Sequence, residues 1–92
     1  MEKLRFLVIG SGGREYIIVK ALSEDSEVYT YMFHENPGMK RLSKDYIIGK
    51  ASDIEKIIEY AKRTNPDIVV IGPENPLAAG VVDRLEEEGF PQ

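Results

Sequence analysis

Gly10-Ser11-Gly12-Gly13-Arg14-Glu15 follows an apolar run and precedes a segment with helical spacing. Glycine lets a backbone approach an anion closely and aim successive N–H groups at it. A helix starting there adds favourable potential for negative charge. Arg14 brings a permanently charged fork suited to phosphate or carboxylate, and Ser11 brings a hydroxyl donor. Together these residues describe a phosphate cradle. The plainer reading is a tight strand-to-helix turn with a surface arginine. Three glycines in four positions exceed what such a turn needs, which favours the cradle.

The ligand class is narrowed by what the loop lacks. A dinucleotide fingerprint places glycine at its first, third and sixth positions. Here the sixth position is Glu15, a carboxylate where close helix–strand packing asks for no side chain. Glu35, in turn, follows the second strand about where a ribose-binding acid belongs. No Gly-Lys-Ser or Gly-Lys-Thr occurs, so there is no Walker sequence.

Gly72-Pro73-Glu74-Asn75-Pro76-Leu77 is a second unusual loop. Its prolines stiffen the chain on both sides of Glu74 and Asn75. A stiff loop is a good mount for a carboxylate that accepts from two neighbouring hydroxyls, as on a ribose. Simple helix capping by Asn75, with Glu74 complementing the helix dipole, explains the same residues, and spacing does not separate the two. Asn36-Pro37-Gly38 reads first as an ordinary turn near the same sheet end. His34 has no acid or nucleophile near it in sequence and reads as a surface residue. The tyrosines of the second strand read as sheet packing, and Glu86-Glu87-Glu88 as a solvated helix face.

Composition excludes several alternatives. The chain has 92 residues, 42% of them hydrophobic, which suits one globular domain. Size scaling expects a folded surface of roughly 5,400 Å² and burial of about 64% of the unfolded surface. With no cysteine and one histidine, a disulfide scaffold, an iron–sulfur or thiolate zinc site, a cysteine nucleophile and a multi-histidine metal centre are all excluded. The net charge of −4 argues against duplex nucleic acid as a partner. No apolar run approaches a membrane span, and Met1-Glu2-Lys3-Leu4-Arg5 lacks a signal-peptide layout, so a cytoplasmic domain is expected.

The elements that must position these loops read as one βαβ series. Residues 4–9, 27–33, 45–48 and 67–71 are expected strands, the first and last of them the most apolar. Residues 14–22 are an expected helix. Ser52-Asp53-Ile54-Glu55 reads as a capping box with Ser52 as N-cap, opening a helix to about Arg63 that Asn65-Pro66 stops. Asn75 and Pro76 would start the last helix, and Gly89 would end it. Residues 34–44 read as loop with room for one short helical turn. The fold class is α/β: a Rossmann-like half with a parallel sheet of about four strands, order 3-2-1-4, and helices on both faces. In that order the loops after strands one and four face one crevice, at the switch point where ligands bind.

Read together, residues 7–15 and 71–77, with Gly80-Val81-Val82-Asp83 beyond, resemble the phosphoribosylamine–glycine ligase (glycinamide ribonucleotide synthetase) family. The likeness runs over roughly residues 4–91, and the form is similar to archaeal members. Asn36-Pro37-Gly38 falls where that family has a Pro-Gly-Asn type turn. Tyr16 stands where the family usually has His, and Ile17 replaces a small residue, which should tighten helix packing beside the cradle. The resemblance implies a pre-ATP-grasp, substrate-binding N-terminal domain spanning residues 1–92. An ATP-grasp region carrying the ATP and Mg²⁺ sites would follow in cis or in a split subunit, and the chain reads as a fragment. The implied reaction joins glycine to phosphoribosylamine in purine biosynthesis, through glycine acyl phosphate, giving glycinamide ribonucleotide, ADP and phosphate. Gly10, Ser11, Gly12, Gly13 and Arg14 would hold the ribose phosphate, with Glu74 near the ribose hydroxyls. Glu15, Asn36, Pro37, Gly38, Gly72, Pro73 and Asn75 would complete the substrate site. This segment alone is expected to catalyse nothing and to bind no ATP or metal.

Two other readings compete. A nucleotide-cofactor module would need Glu35 to contact a ribose. A non-catalytic interaction domain could pair through the outer edge of strand four, which the sequence leaves uncovered.

Overall fold

In a computed structural model, which describes residues 3–72 and 78–91, four strands and four helices alternate along the chain. They are β1 (Arg5–Ile9), α1 (Gly13–Leu22), β2 (Glu27–Met32), α2 (Pro37–Leu42), β3 (Asp45–Ile48), α3 (Ile54–Thr64), β4 (Ile68–Ile71) and α4 (Ala78–Glu87). The sheet order is β3-β2-β1-β4 and every pairing is parallel, as expected from the sequence. Leu7 lies opposite Tyr29 on one side and Val69 on the other, so the most apolar strand is central.

Strand alternation divides the core in two. Leu7, Ile9, Tyr29 and Tyr31 point to one face and pack with Ile57, Ile58, Ala61, Val81 and Leu85 of α3 and α4. Val8, Val28 and Met32 point to the other face and pack with Val19 of α1 and Met39 of α2. The tyrosines of β2 are therefore sheet packing, with Tyr31 fully buried and its hydroxyl donating to the Lys50 carbonyl at 2.9 Å. The accessible surface of 5451 Å² is that of a compact monomer of this mass, about 5,400 Å².

Three expectations need correction. The short helical turn for which 34–44 had room is a six-residue helix, α2, longer than expected: Asn36 is its N-cap, accepting from the Met39 N–H, and Pro37 occupies its first turn. Burial of Met39 against Val8 and Val28 holds this short helix on the sheet. The N-cap of α3 is Asp53 rather than Ser52. Its carboxylate accepts from the Lys56 N–H at 3.1 Å, while Glu55 turns away to pair with Arg84 of α4. The outer edge of β4 is also met: the Val69 N–H donates to the Pro91 carbonyl at 2.9 Å. The chain reaches that edge through a glycine turn, with Gly89 at φ +84° and the Phe90 N–H returning to the Leu85 carbonyl at 2.9 Å. Among the described residues, no helix is long and apolar enough to cross a membrane.

Candidate functional site: a crevice at the carboxyl ends of β1 and β4

The chain leaves β1 through Gly10, whose φ of +138° is open only to glycine. The Gly10 N–H still donates to the Tyr31 carbonyl at 3.0 Å, so the loop stays on the ladder for one residue more. Gly72 mirrors it at the end of β4, donating to the Ile9 carbonyl at 3.2 Å. The two loops thus leave neighbouring strands side by side. Pro73, Glu74 and Asn75 lie outside the described residues, as does the expected helix start at Pro76.

Glu15 joins the two loops. Its side chain lies where a Cβ on Gly10 or Gly72 would fall, with Cγ at 2.8 Å from the Gly10 position and Cδ at 3.1 Å from the Gly72 position. A dinucleotide fingerprint would leave that spot to bare close packing. Instead a half-buried carboxylate fills it, and the two glycines are the room it requires.

Gly12 is the N-cap of α1 and has no side chain to satisfy the first N–H groups of the helix. The helix closes on itself only from Tyr16, whose N–H donates to the Gly12 carbonyl at 3.0 Å. Asn36 and Asp53 do cap α2 and α3. Gly12, Gly13 and Arg14 are exposed, so the donors of the first turn face outward.

The start of α2 is latched to this loop. The Asn36 amide donates to the Ser11 carbonyl at 3.1 Å, and the His34 N–H donates to Ser11 Oγ at 3.3 Å. Ser11 therefore keeps its hydroxyl proton for another acceptor. The Tyr16 ring lies against Gly38, 2.6 Å from where a Cβ would stand. Tyr16, not Ile17, does the packing there. Ile17 is 67% exposed, which corrects the expectation that it tightens the helix. Neither contact is visible from spacing, although a tyrosine and a glycine flanking a cradle were the available signal.

The crevice thus gathers Gly10, Ser11, Gly12, Gly13, Arg14, Glu15 and Gly72, with Asn36, Pro37 and Gly38 as its wall. His34 is exposed and contributes its backbone. Glu35 is engaged by Lys40 at 2.5 Å, and that hydrogen bond holds its carboxyl below the usual range. A concavity of about 470 Å³ lies elsewhere, between β3 and α3, lined by Ile47, Asp53, Lys56, Tyr60 and Arg63 among others. Its phenol is held protonated by burial and by donation to Asp45 at 2.9 Å. It contains none of the residues gathered at the crevice.

Comparison with known proteins converges on one family. The family model for the phosphoribosylglycinamide synthetase N domain matches residues 4–92. A phosphoribosylamine–glycine ligase of Methanopyrus kandleri is 49% identical over 92 residues, covering 96% of this chain and 20% of that protein. Ligases of the same name from Methanosphaera stadtmanae and Pyrococcus abyssi are 46% and 47% identical, with 95% and 96% of this chain covered and 20% of each relative. The chain spans about one fifth of the length of the relatives it matches, 20% in each of these three.

Proposed function

Because the chain belongs to the phosphoribosylglycinamide synthetase N-domain family, we propose that it positions the phosphoribosyl substrate of a phosphoribosylamine–glycine ligase. In this reading residues 1–92 are a single N-terminal substrate-binding domain. The whole enzyme joins glycine to phosphoribosylamine in cytoplasmic purine biosynthesis. One observation carries the reading: the helix start left uncapped at Gly12, beside Arg14, stands at the sheet's switch point. Outward N–H groups with a guanidinium in the same turn are a fitting seat for one phosphate. Glu74 is assigned to the ribose hydroxyls on its place in the second loop.

The ligase family uses ATP, and we assign ATP and Mg²⁺ to an ATP-grasp region supplied in cis or by a split subunit. Among the described residues, no group of three His, Cys, Asp or Glu side chains is placed to hold a metal ion. The segment's own residues bind and orient; activation of the glycine carboxylate belongs to the other domains.

The test is titration of the isotope-labelled chain with ribose 5-phosphate, read by amide resonances. The Gly12, Gly13 and Gly72 amides should move together. A spectrum unchanged at millimolar ligand, or shifts confined to the β3–α3 concavity, would count against the assignment.

A further inference from the structure

We propose that Glu15 sets the ligand class of the crevice, repelling diphosphate-bearing nucleotides and accepting a hydroxyl or ammonium proton from a monophosphorylated ligand. This deepens the reading above and rests on it for the monophosphate.

The geometry is specific. One side chain touches backbone from three places: Gly10 at the end of β1, Gly72 at the end of β4, and Gly12 at the N-cap of α1, where Oε2 lies 3.3 Å from the Cβ position. In a dinucleotide site, bare glycine backbone of this kind is what lets a pyrophosphate come close. Here a negative charge already lies on it. Two of the nearby amides are engaged elsewhere, the Gly10 N–H with the Tyr31 carbonyl and the Gly72 N–H with the Ile9 carbonyl. Among the described residues no cation pairs with Glu15 and no donor bonds to it. A half-buried carboxylate with no donor among the described residues is an acceptor open to water or a ligand.

Charge then decides what fits. A single phosphate can sit on the outward Gly13 amide, since nothing, Glu15 included, comes within 4 Å of the Gly13 Cβ position. A diphosphate continuing inward over Gly10 brings a second negative group to the carboxylate. At about 5 Å and an effective dielectric constant of about 40, each such charge weakens binding by more than tenfold. A ribose hydroxyl or an ammonium group arriving at the same place finds an acceptor instead.

The experiment compares the full chain with its Glu15→Gln variant, which keeps shape and volume and removes the charge. Ribose 5-phosphate and ADP-ribose are titrated into each, and amide dispersion reports that both are folded. ADP-ribose should bind the Gln variant about tenfold more tightly than the unsubstituted chain, while ribose 5-phosphate binds it several-fold more weakly. Glu15→Asp, which withdraws the charge by one methylene, should fall between. Equal ADP-ribose affinity in the Glu and Gln forms overturns the proposal, as does failure of ADP-ribose to bind the Gln form at millimolar concentration. If ADP-ribose tightens but ribose 5-phosphate binds neither form, the selectivity role stands and the sugar-phosphate reading falls.

Discussion

The side-chain amide of Asn36 donates to the Ser11 carbonyl at 3.1 Å, while its oxygen caps α2 by accepting from the Met39 N–H at 3.1 Å. One residue therefore both starts a helix and pins the cradle. A residue expected at the substrate site is thus also a structural latch, with one amide N–H still unassigned by these two bonds.

Two substitutions separate those tasks. Asn36→Ala removes both bonds and should lower stability by about 1–2 kcal/mol. Asn36→Asp keeps the cap, because Asp and Asn cap equally well, but sets a carboxylate oxygen against a carbonyl. Its urea midpoint should lie nearer that of the unsubstituted chain, while the Ser11 and Gly12 amides shift or broaden. Equal stability loss in both variants, with an unchanged cradle spectrum, would contradict the latch.

Gly38 and Tyr16 should show a reversal of sign. A Cβ at Gly38 would stand 2.6 Å from Tyr16 Cε2, so Gly38→Ala alone should be destabilising by about 1–3 kcal/mol. With Tyr16→Ala in place the clash is gone, and Ala in a helix outranks Gly by up to about 1 kcal/mol. A double-mutant cycle by urea denaturation reads this directly.

Gly10→Ala combines two penalties. Alanine at φ +138° is strained, and its methyl would meet Glu15 Cγ at 2.8 Å. The expected loss is about 2–4 kcal/mol. Adding Glu15→Ala should recover the steric part and leave the backbone part. Full recovery would mean that backbone conformation is not what requires glycine there.

The acid limb of stability should depend on Glu27. The hydrogen bond from Lys44 at 3.0 Å, helped by Tyr29 and by the charges of Lys44 and Arg5, holds its carboxyl below the ordinary value of 4.5. A carboxyl depressed in the folded state stabilises fully above its unfolded value and loses that contribution as pH falls through its folded value. Glu27→Gln should therefore flatten the fall in urea midpoint below about pH 4.5. High salt should weaken the same contribution, since the pair is largely solvated.

Much of the fold was legible because its signals are strong and local. The apolar runs at 6–9 and 68–71 read as neighbouring parallel strands, and they do pair; β1 is central, while β4 lies at the end of the order 3-2-1-4, where the Pro91 carbonyl meets its outer edge. The extent of helix α2 was hidden because Pro37-Gly38 looks like turn chemistry in isolation. The Asn-Pro start that marked residues 75 and 76 was equally present at 36 and 37. Burial of Met39, a tertiary fact, decides between turn and helix there. At the site, the glycine loops were legible from composition. The place of Glu15 was not, because spacing does not show that a side chain in the first turn of α1 folds back over Gly10 and Gly72.

The central claim is that the crevice between β1 and β4 seats a phosphorylated ribose. A crystal structure of the chain soaked with glycinamide ribonucleotide tests it most directly. The phosphate should lie within about 3 Å of the Gly12 or Gly13 amide nitrogen, with the ribose toward Gly72. A phosphate bound anywhere else, or a crevice left empty at saturating ligand, would contradict it.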